Sequence, residues 1–199
     1  IWDSSKQLKE KTTEAIILIL MSASGFMLMI DSENLIMLFI GLEIGSISLY
    51  ALAGLNRGDK LSNEASLKYF LLGSLASCIL IYGVSLVYVS FSVLSVYNFA
   101  LGLAYVGPDS IPLTTSIGVL LIFIGLLFKI AAAPFQSWAP DVYQGSPTGY
   151  VGFMSSIAKA SSFIVIARLC LVSINLIIED FDIFFLIVII SSALIGSLF

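Results

Sequence analysis

Residues 128–149 read FKIAAAPFQSWAPDVYQGSPTG. Before them, residues 117–127 contain no polar side chain at all. A cation, Lys129, thus closes a strongly apolar run, and Pro134, Gln136, Trp138, Pro140, Asp141 and Pro147 follow before hydrophobicity returns. Proline has no amide N–H and its ring clashes with the carbonyl four residues back. Pro134 therefore predicts a helix break that frees the carbonyl of Ile130. Two readings are open at this point. The stretch is either a Pro-rich turn between two ordinary helices, or a discontinuous helix that sets Lys129 at a half-helix C-terminus. The dipole there favours a cation, and such breaks form the ion sites of many transporters.

The rest of the chain decides what kind of surroundings that lysine has. Of 199 residues, 59% are hydrophobic and 11% charged, whereas soluble domains are about 45–50% apolar and about 25% charged. Several runs reach the ~20 apolar residues a spanning helix needs, and none alternates with the period of a membrane barrel. The sequence therefore predicts an all-α polytopic membrane protein. There are two cysteines, Cys78 and Cys170, both within apolar runs, and no histidine. The usual haem, zinc and iron–sulfur ligand sets are thus missing, as is a glycine-rich nucleotide loop. We expect no cofactor and no metal on this chain, and no nucleic-acid partner.

Hydrophobicity divides the chain into a polar tail (residues 1–14) and six spans near 15–30, 34–55, 64–89, 112–134, 148–175 and 181–199, the fourth interrupted at about 129–136. Two crossings separate the tail from the 56–63 loop, so both face one side. Together they carry Lys6, Lys9, Lys11, Arg57 and Lys60. The opposite connections (31–33, 90–111 and 176–182) carry no Lys or Arg, but do carry Asp31, Glu33, Asp109, Glu179, Asp180 and Asp182. The positive-inside rule then directs the N-terminus to the cytoplasm or matrix.

Four ionisable residues fall within the spans: Glu43, Lys68, Lys129 and Lys159. A charge at the bilayer centre costs about 3 kcal/mol on insertion scales, and such groups face the bundle interior and mark ion or proton paths. Competing readings stay open. Lys68, about one turn into its helix, either snorkels to the positive side or joins a path. Glu43 and Lys129 are either a structural ion pair or a working one, although buried pairs stabilise poorly relative to apolar packing. Lys159 sits among Ala and Ser in SSIAKASS, where close packing and water access favour function. Arg168, near the far end of its span, is expected to snorkel.

The stretch FKIAAAPFQSWAPDVYQGSPT closely resembles the hallmark of the antiporter-like family of respiratory complex I, in its subunit 2 branch. There a lysine precedes P-F-H-x-W-x-P-[DE]-V-x-x-G-x-P-T. The segments LEIGSISLYAL, NEASLKYFLLGSLASCILIYGVSLVY and SSIAKASSFIVIARL match the same family in the same order. The resemblance implies an antiporter-like bundle of inverted five-helix repeats, each with one broken helix. It implies that Glu43 and Lys129 form the coupled pair of a proton half-channel, that Lys159 continues the path, and that Lys68 belongs to its polar route. Pro134, Gln136, Trp138 and Pro140 mark the break. Gln136 stands where the family has histidine and cannot titrate, so it can only orient water or hydrogen-bond.

The expected organisation is a first repeat over 15–175 followed by a sixth helix over 176–199, the start of a second repeat that is otherwise absent. A partial sequence, a split gene or a reduced subunit would each give this length. We adopt the split gene, with a second chain supplying the remaining repeat. The expected role is that of a membrane-arm subunit of NADH:ubiquinone oxidoreductase, a proton-translocating enzyme of the respiratory chain. Other membrane-arm subunits and the lipid bilayer would be its partners, with the redox chemistry on other chains. The expected location is the mitochondrial inner membrane, with a bacterial plasma membrane second. The alternatives are a subunit of a multisubunit cation/proton antiporter and a purely structural spacer.

Overall fold

A computed structural model describes residues 12–107, 110–174 and 178–198. The tail with Lys6, Lys9 and Lys11, and Asp109, fall outside the described residues, as do the side chains of Glu179 and Asp180. The described residues form α1 (Thr12–Asp31), α2 (Leu35–Ala53), α3 (Lys60–Phe91), α4 (Val96–Val106), α5 (Leu113–Lys129), α6 (Trp138–Gly145), α7 (Thr148–Leu169) and α8 (Ile178–Leu198). Among the described residues, four stretches are long and apolar enough to cross a membrane: α1, α2, α3, and α7 continued to Val172. At 1.5 Å per residue, α3 is about 48 Å long and α5 only about 26 Å, short of the ~30 Å hydrocarbon core. The turn after Lys129 and the eight residues of α6 complete that crossing.

Local signals set the ends. The Asn34 side chain caps α2 by accepting from the Ile36 and Met37 amides, Asp59 caps α3 through Leu61, and Ser95 caps α4 through Asn98. The segment between α3 and α5, expected as an irregular connection, carries α4. Its Val96, Phe99 and Leu103 are buried at helical spacing, with Phe99 edge-on to Phe91 at 5.4 Å. The α1–α2 and α3–α4 turns join through Leu35 N–H to Leu94 O (2.9 Å) and Val96 N–H to Glu33 O (2.8 Å). On the opposite side Arg57 lies 3.9 Å from Glu14, so the start of α1 and the 56–63 loop share one end of the bundle.

Lipid supplies no hydrophobic force between helices, so close contact of small residues has to bring them together. A Cβ on Gly25 of α1 would lie 2.4 Å from the Gly45 backbone N of α2, so these helices meet backbone to backbone. Two hydroxyls tie α3 to the end of α2: Ser62 donates to Ala53 O at 2.7 Å and Ser66 to Tyr50 O at 2.8 Å. The Arg168 guanidinium donates to Ile30 O (2.7 Å) and Ser32 O, at the end of α1. The orphan carbonyls of a helix C-terminus are a ready acceptor set for a guanidinium.

The break begins before Pro134. Ala131 N–H donates to Phe128 O and Ala132 N–H to Leu127 O, the paired bonds of a Schellman turn. Ala131 takes the left-handed conformation at φ 56°, a position that favours glycine. The helix therefore stops at Lys129, and the Ile130 carbonyl is already outside it when Pro134 arrives after a cis peptide bond. Left-handed backbone costs a non-glycine residue roughly 1–2 kcal/mol. Ala131→Gly is thus expected to stabilise the fold by about 1 kcal/mol, read as a higher thermal midpoint in detergent. Ala131→Val should lower the midpoint.

Candidate functional site

Three polar residues of α2 fall on one face at helical spacing: Glu43, Ser46 and Tyr50 stand at i, i+3 and i+7, the repeat that aligns side chains along a helix. The last turn of α5 delivers Lys129 to this face, and its side chain is only 4% exposed. The ammonium donates to Tyr50 Oη at 2.9 Å and to Ser46 Oγ at 3.2 Å, and it lies 5.5 Å from the centre of the Tyr50 ring. Helical side chains lean toward the N-terminus, which carries the ammonium away from the carbonyls at the end of α5. Side-chain hydroxyls hold it, and Lys129 is the last residue of α5, the half-helix C-terminus expected from sequence.

Glu43 takes a different partner. Ser77 of α3 donates to Glu43 Oε1 at 2.5 Å. Among the described residues there is no Glu43–Lys129 ion pair within 4.0 Å. The two charges come from different helices to one polar seam, Glu43 from α2 and Lys129 from α5, and Ser46, one turn beyond Glu43 on α2, meets the ammonium. Each hydroxyl both donates and accepts, so Ser46 and Tyr50 can take a proton from the ammonium while passing on their own.

Glycine makes room for this seam. A Cβ on Gly73 of α3 would lie 2.2 Å from Tyr50 Oη, so any other residue would push the tyrosine hydroxyl off the lysine. Tyr50 also meets Tyr69 edge-on at 4.7 Å, and Tyr69 stacks on Trp138 at 4.8 Å. Trp138 in turn stacks on Phe128 and donates its indole N–H to Phe128 O at 3.2 Å. The Phe128 carbonyl, which also accepts from Ala131 N–H, gains a second donor this way, and α6 is fixed under the site.

The other predicted residues lie apart. Lys68 reaches Glu64 Oε1 and Asp141 Oδ2, both at 2.7 Å, with all three side chains substantially exposed. Such a trio is screened by salt and gives little stability, but it ties α3 to α6 at the bundle end marked by Arg57. Among the described residues no hydrogen bond or ion pair links Lys68 to Glu43 or Lys129. Lys159 of α7 is half-buried, with its ammonium 5.6 Å from the centre of the Tyr143 ring. It lines a cavity of about 420 Å³ together with Ala133, Gln136, Pro140, Tyr143 and Ser192. Gln136 Oε1 is buried without a hydrogen-bond partner among the described residues. Pro140 sits in the first turn of α6, where proline is tolerated.

Four site residues were not singled out from sequence: Ser46, Tyr50, Gly73 and Ser77. The first two were within reach of helical spacing from Glu43. Gly73 and Ser77 required the packing of α3 on α2. Because hydrogen bonds to charged groups contribute about 1.5–3 kcal/mol, Tyr50→Phe should destabilise the fold by that order in a detergent unfolding assay. Gly73→Ala, which displaces the same hydroxyl, should cost at least as much. A Tyr50→Phe variant as stable as wild type would show that the bond does not hold the ammonium.

Comparison with known proteins gives a consistent result. NADH-quinone oxidoreductase subunit N 1 of Chloroherpeton thalassium is 46% identical over 170 residues, which are 84% of this chain and 34% of that protein. This chain thus spans about a third of the length of the curated relatives it matches. A chain in the structure of respiratory complex I from Thermus thermophilus with bound aureothin is 37% identical. It superposes with a TM-score of 0.68 over 78% of this chain and 34% of that one. A chain of the Mrp complex from Dietzia sp. DQ12-45-1b, at 22% identity and TM-score 0.70 over 78% of this chain and 28% of that one, shares the fold. The family model described as NADH:quinone oxidoreductase/Mrp antiporter, transmembrane, matches residues 32–199. By that match, the chain belongs to the NADH:quinone oxidoreductase/Mrp antiporter membrane family.

Proposed function

We propose that this chain forms a proton-uptake half-channel in the membrane arm of a respiratory NADH:quinone oxidoreductase, in the position of subunit 2. The observation that carries this reading is the Lys129 ammonium, 4% exposed and held by two neutral hydroxyls in place of a carboxylate. A residue serving only to fix helices would be better placed in an ion pair or replaced by an apolar side chain. Lys129 instead has proton-passing partners on one side and, beyond the break, the cavity that Lys159 lines.

In this reading Glu43 sets the field at Lys129, movement of the Glu43–Ser77 bond changes the lysine's proton affinity, and Lys159 receives the proton. Lys68, in its exposed trio, stands at the side from which protons enter. NADH oxidation and quinone reduction belong to other subunits, and this chain needs no cofactor. We place residues 15–175 as the first repeat and α8 as the first helix of the next. The N-terminus would face the matrix of a mitochondrion, or the cytoplasm in bacteria such as those that carry the named relatives. The antiporter-subunit alternative draws on the shared fold alone, whereas the identity to complex I subunits supports the respiratory role. Copurification with NADH-oxidising, quinone-reducing activity separates the two.

A positioned proton-transfer group contributes roughly 10²–10⁴-fold to rate. Lys129→Ala is therefore expected to collapse NADH-driven proton uptake into liposomes containing the reconstituted complex, while the complex still assembles. An assembled Lys129→Ala complex with unchanged proton stoichiometry and rate would contradict the assignment.

A further inference from the structure

Helix α8 lies outside the seam built by α2, α3 and α5, yet two of its hydroxyls hold the break. Ala133 N–H donates to Ser192 Oγ at 3.0 Å, and Ser191 Oγ–H donates to Ala133 O at 3.4 Å. Ala133 is 2% exposed, and the helical ladder of α5 has ended four residues earlier. Backbone at membrane depth requires such partners within the protein, and here they come from a helix distant in sequence.

Ser192 also belongs to the cavity that contains Lys159, Gln136 and Tyr143. The bond from Ala133 uses an Oγ lone pair and leaves the O–H of Ser192 to donate. The Lys159 ammonium rests over an aromatic face on the same cavity. A hydroxyl donor and an ammonium therefore line one space of about 420 Å³ whose remaining lining is mainly apolar. A water takes about 30 Å³ and needs two to four polar partners, so the space has room for water where Ser192 and Lys159 supply those partners.

We propose that Ser192 is a positioning residue for proton transfer between Lys129 and Lys159: it fixes the Ala133 peptide in the cavity wall and presents its O–H to the water there. The proposal rests on the proton-transfer reading above. Thr and Val have nearly the same shape and differ at Ser192 only in the hydroxyl. We expect Ser192→Thr to keep NADH-driven proton uptake near wild type in the reconstituted complex. Ser192→Val should lower it on the order of tenfold, as small misplacements in a transfer path do, with the complex assembled and its NADH oxidation with an artificial acceptor retained.

Equal uptake in assembled Thr and Val complexes would overturn the proposal. So would failure of the Val complex alone to assemble, which would assign the hydroxyl to folding. Lys129→Ala, measured in parallel, separates the two levels. If it abolishes uptake while Ser192→Val does not, only the Ser192 role falls. If Lys129→Ala leaves uptake intact, the underlying proton-transfer reading falls.

Discussion

The ammonium of Lys129 sits inside an apolar bundle, and the surrounding architecture is arranged around its solvation. An isolated charge at this depth costs several kcal/mol, and a carboxylate partner would hold it static. The chain supplies two neutral hydroxyls, Tyr50 and Ser46, at 2.9 and 3.2 Å. That choice constrains the neighbours. Position 73 must be glycine so that the tyrosine hydroxyl can reach the lysine. Tyr50 is in turn held by an aromatic layer running through Tyr69 to Trp138. The same tryptophan hydrogen-bonds a carbonyl in the last turn of the helix that carries Lys129, so ion, aromatic layer and break form one connected unit.

The break gives this unit an exit. A continuous helix through residues 129–138 would surround the lysine with ladder bonds and side chains, leaving no polar lining toward α7. A Schellman turn ends α5 at the lysine, Trp138 adds a second donor to the Phe128 carbonyl, and the α8 serines take up the Ala133 backbone. The resulting gap is walled by Ala133, Gln136 and Ser192 and reaches Lys159. The observed polar contacts run from Ser77 and Glu43 on α3 and α2 to Ser46, Tyr50 and Lys129, and Lys159 lines a separate cavity beyond the break.

The membrane class, the principal spans and the site of the break were legible in the sequence, because hydropathy and proline act locally. The mechanism of the break was not. Ala131 has no propensity for the left-handed conformation, and only the register of the Schellman bonds places it there. Glu43, Lys129 and Lys159 stand out because charge is rare in such a composition, but that signal cannot tell a direct ion pair from two charges with separate hydroxyl partners. Arg168 illustrates the same limit. Position suggested a cation near the end of its span, but not that the carbonyls at the end of α1 accept from it. Contacts across the bundle, such as Gly73 beneath Tyr50 or Ser192 against Ala133, depend on helix packing that no single segment encodes.

The central claim is that Lys129 works by losing and regaining a proton, not by its charge alone. Arginine keeps the charge and the donors but does not deprotonate in proteins. The most direct test is therefore the proton-to-electron ratio of the assembled, reconstituted complex carrying Lys129→Arg. The account predicts that the variant assembles and oxidises NADH but pumps as poorly as one lacking the lysine altogether. Pumping at the wild-type ratio with arginine in place would contradict it.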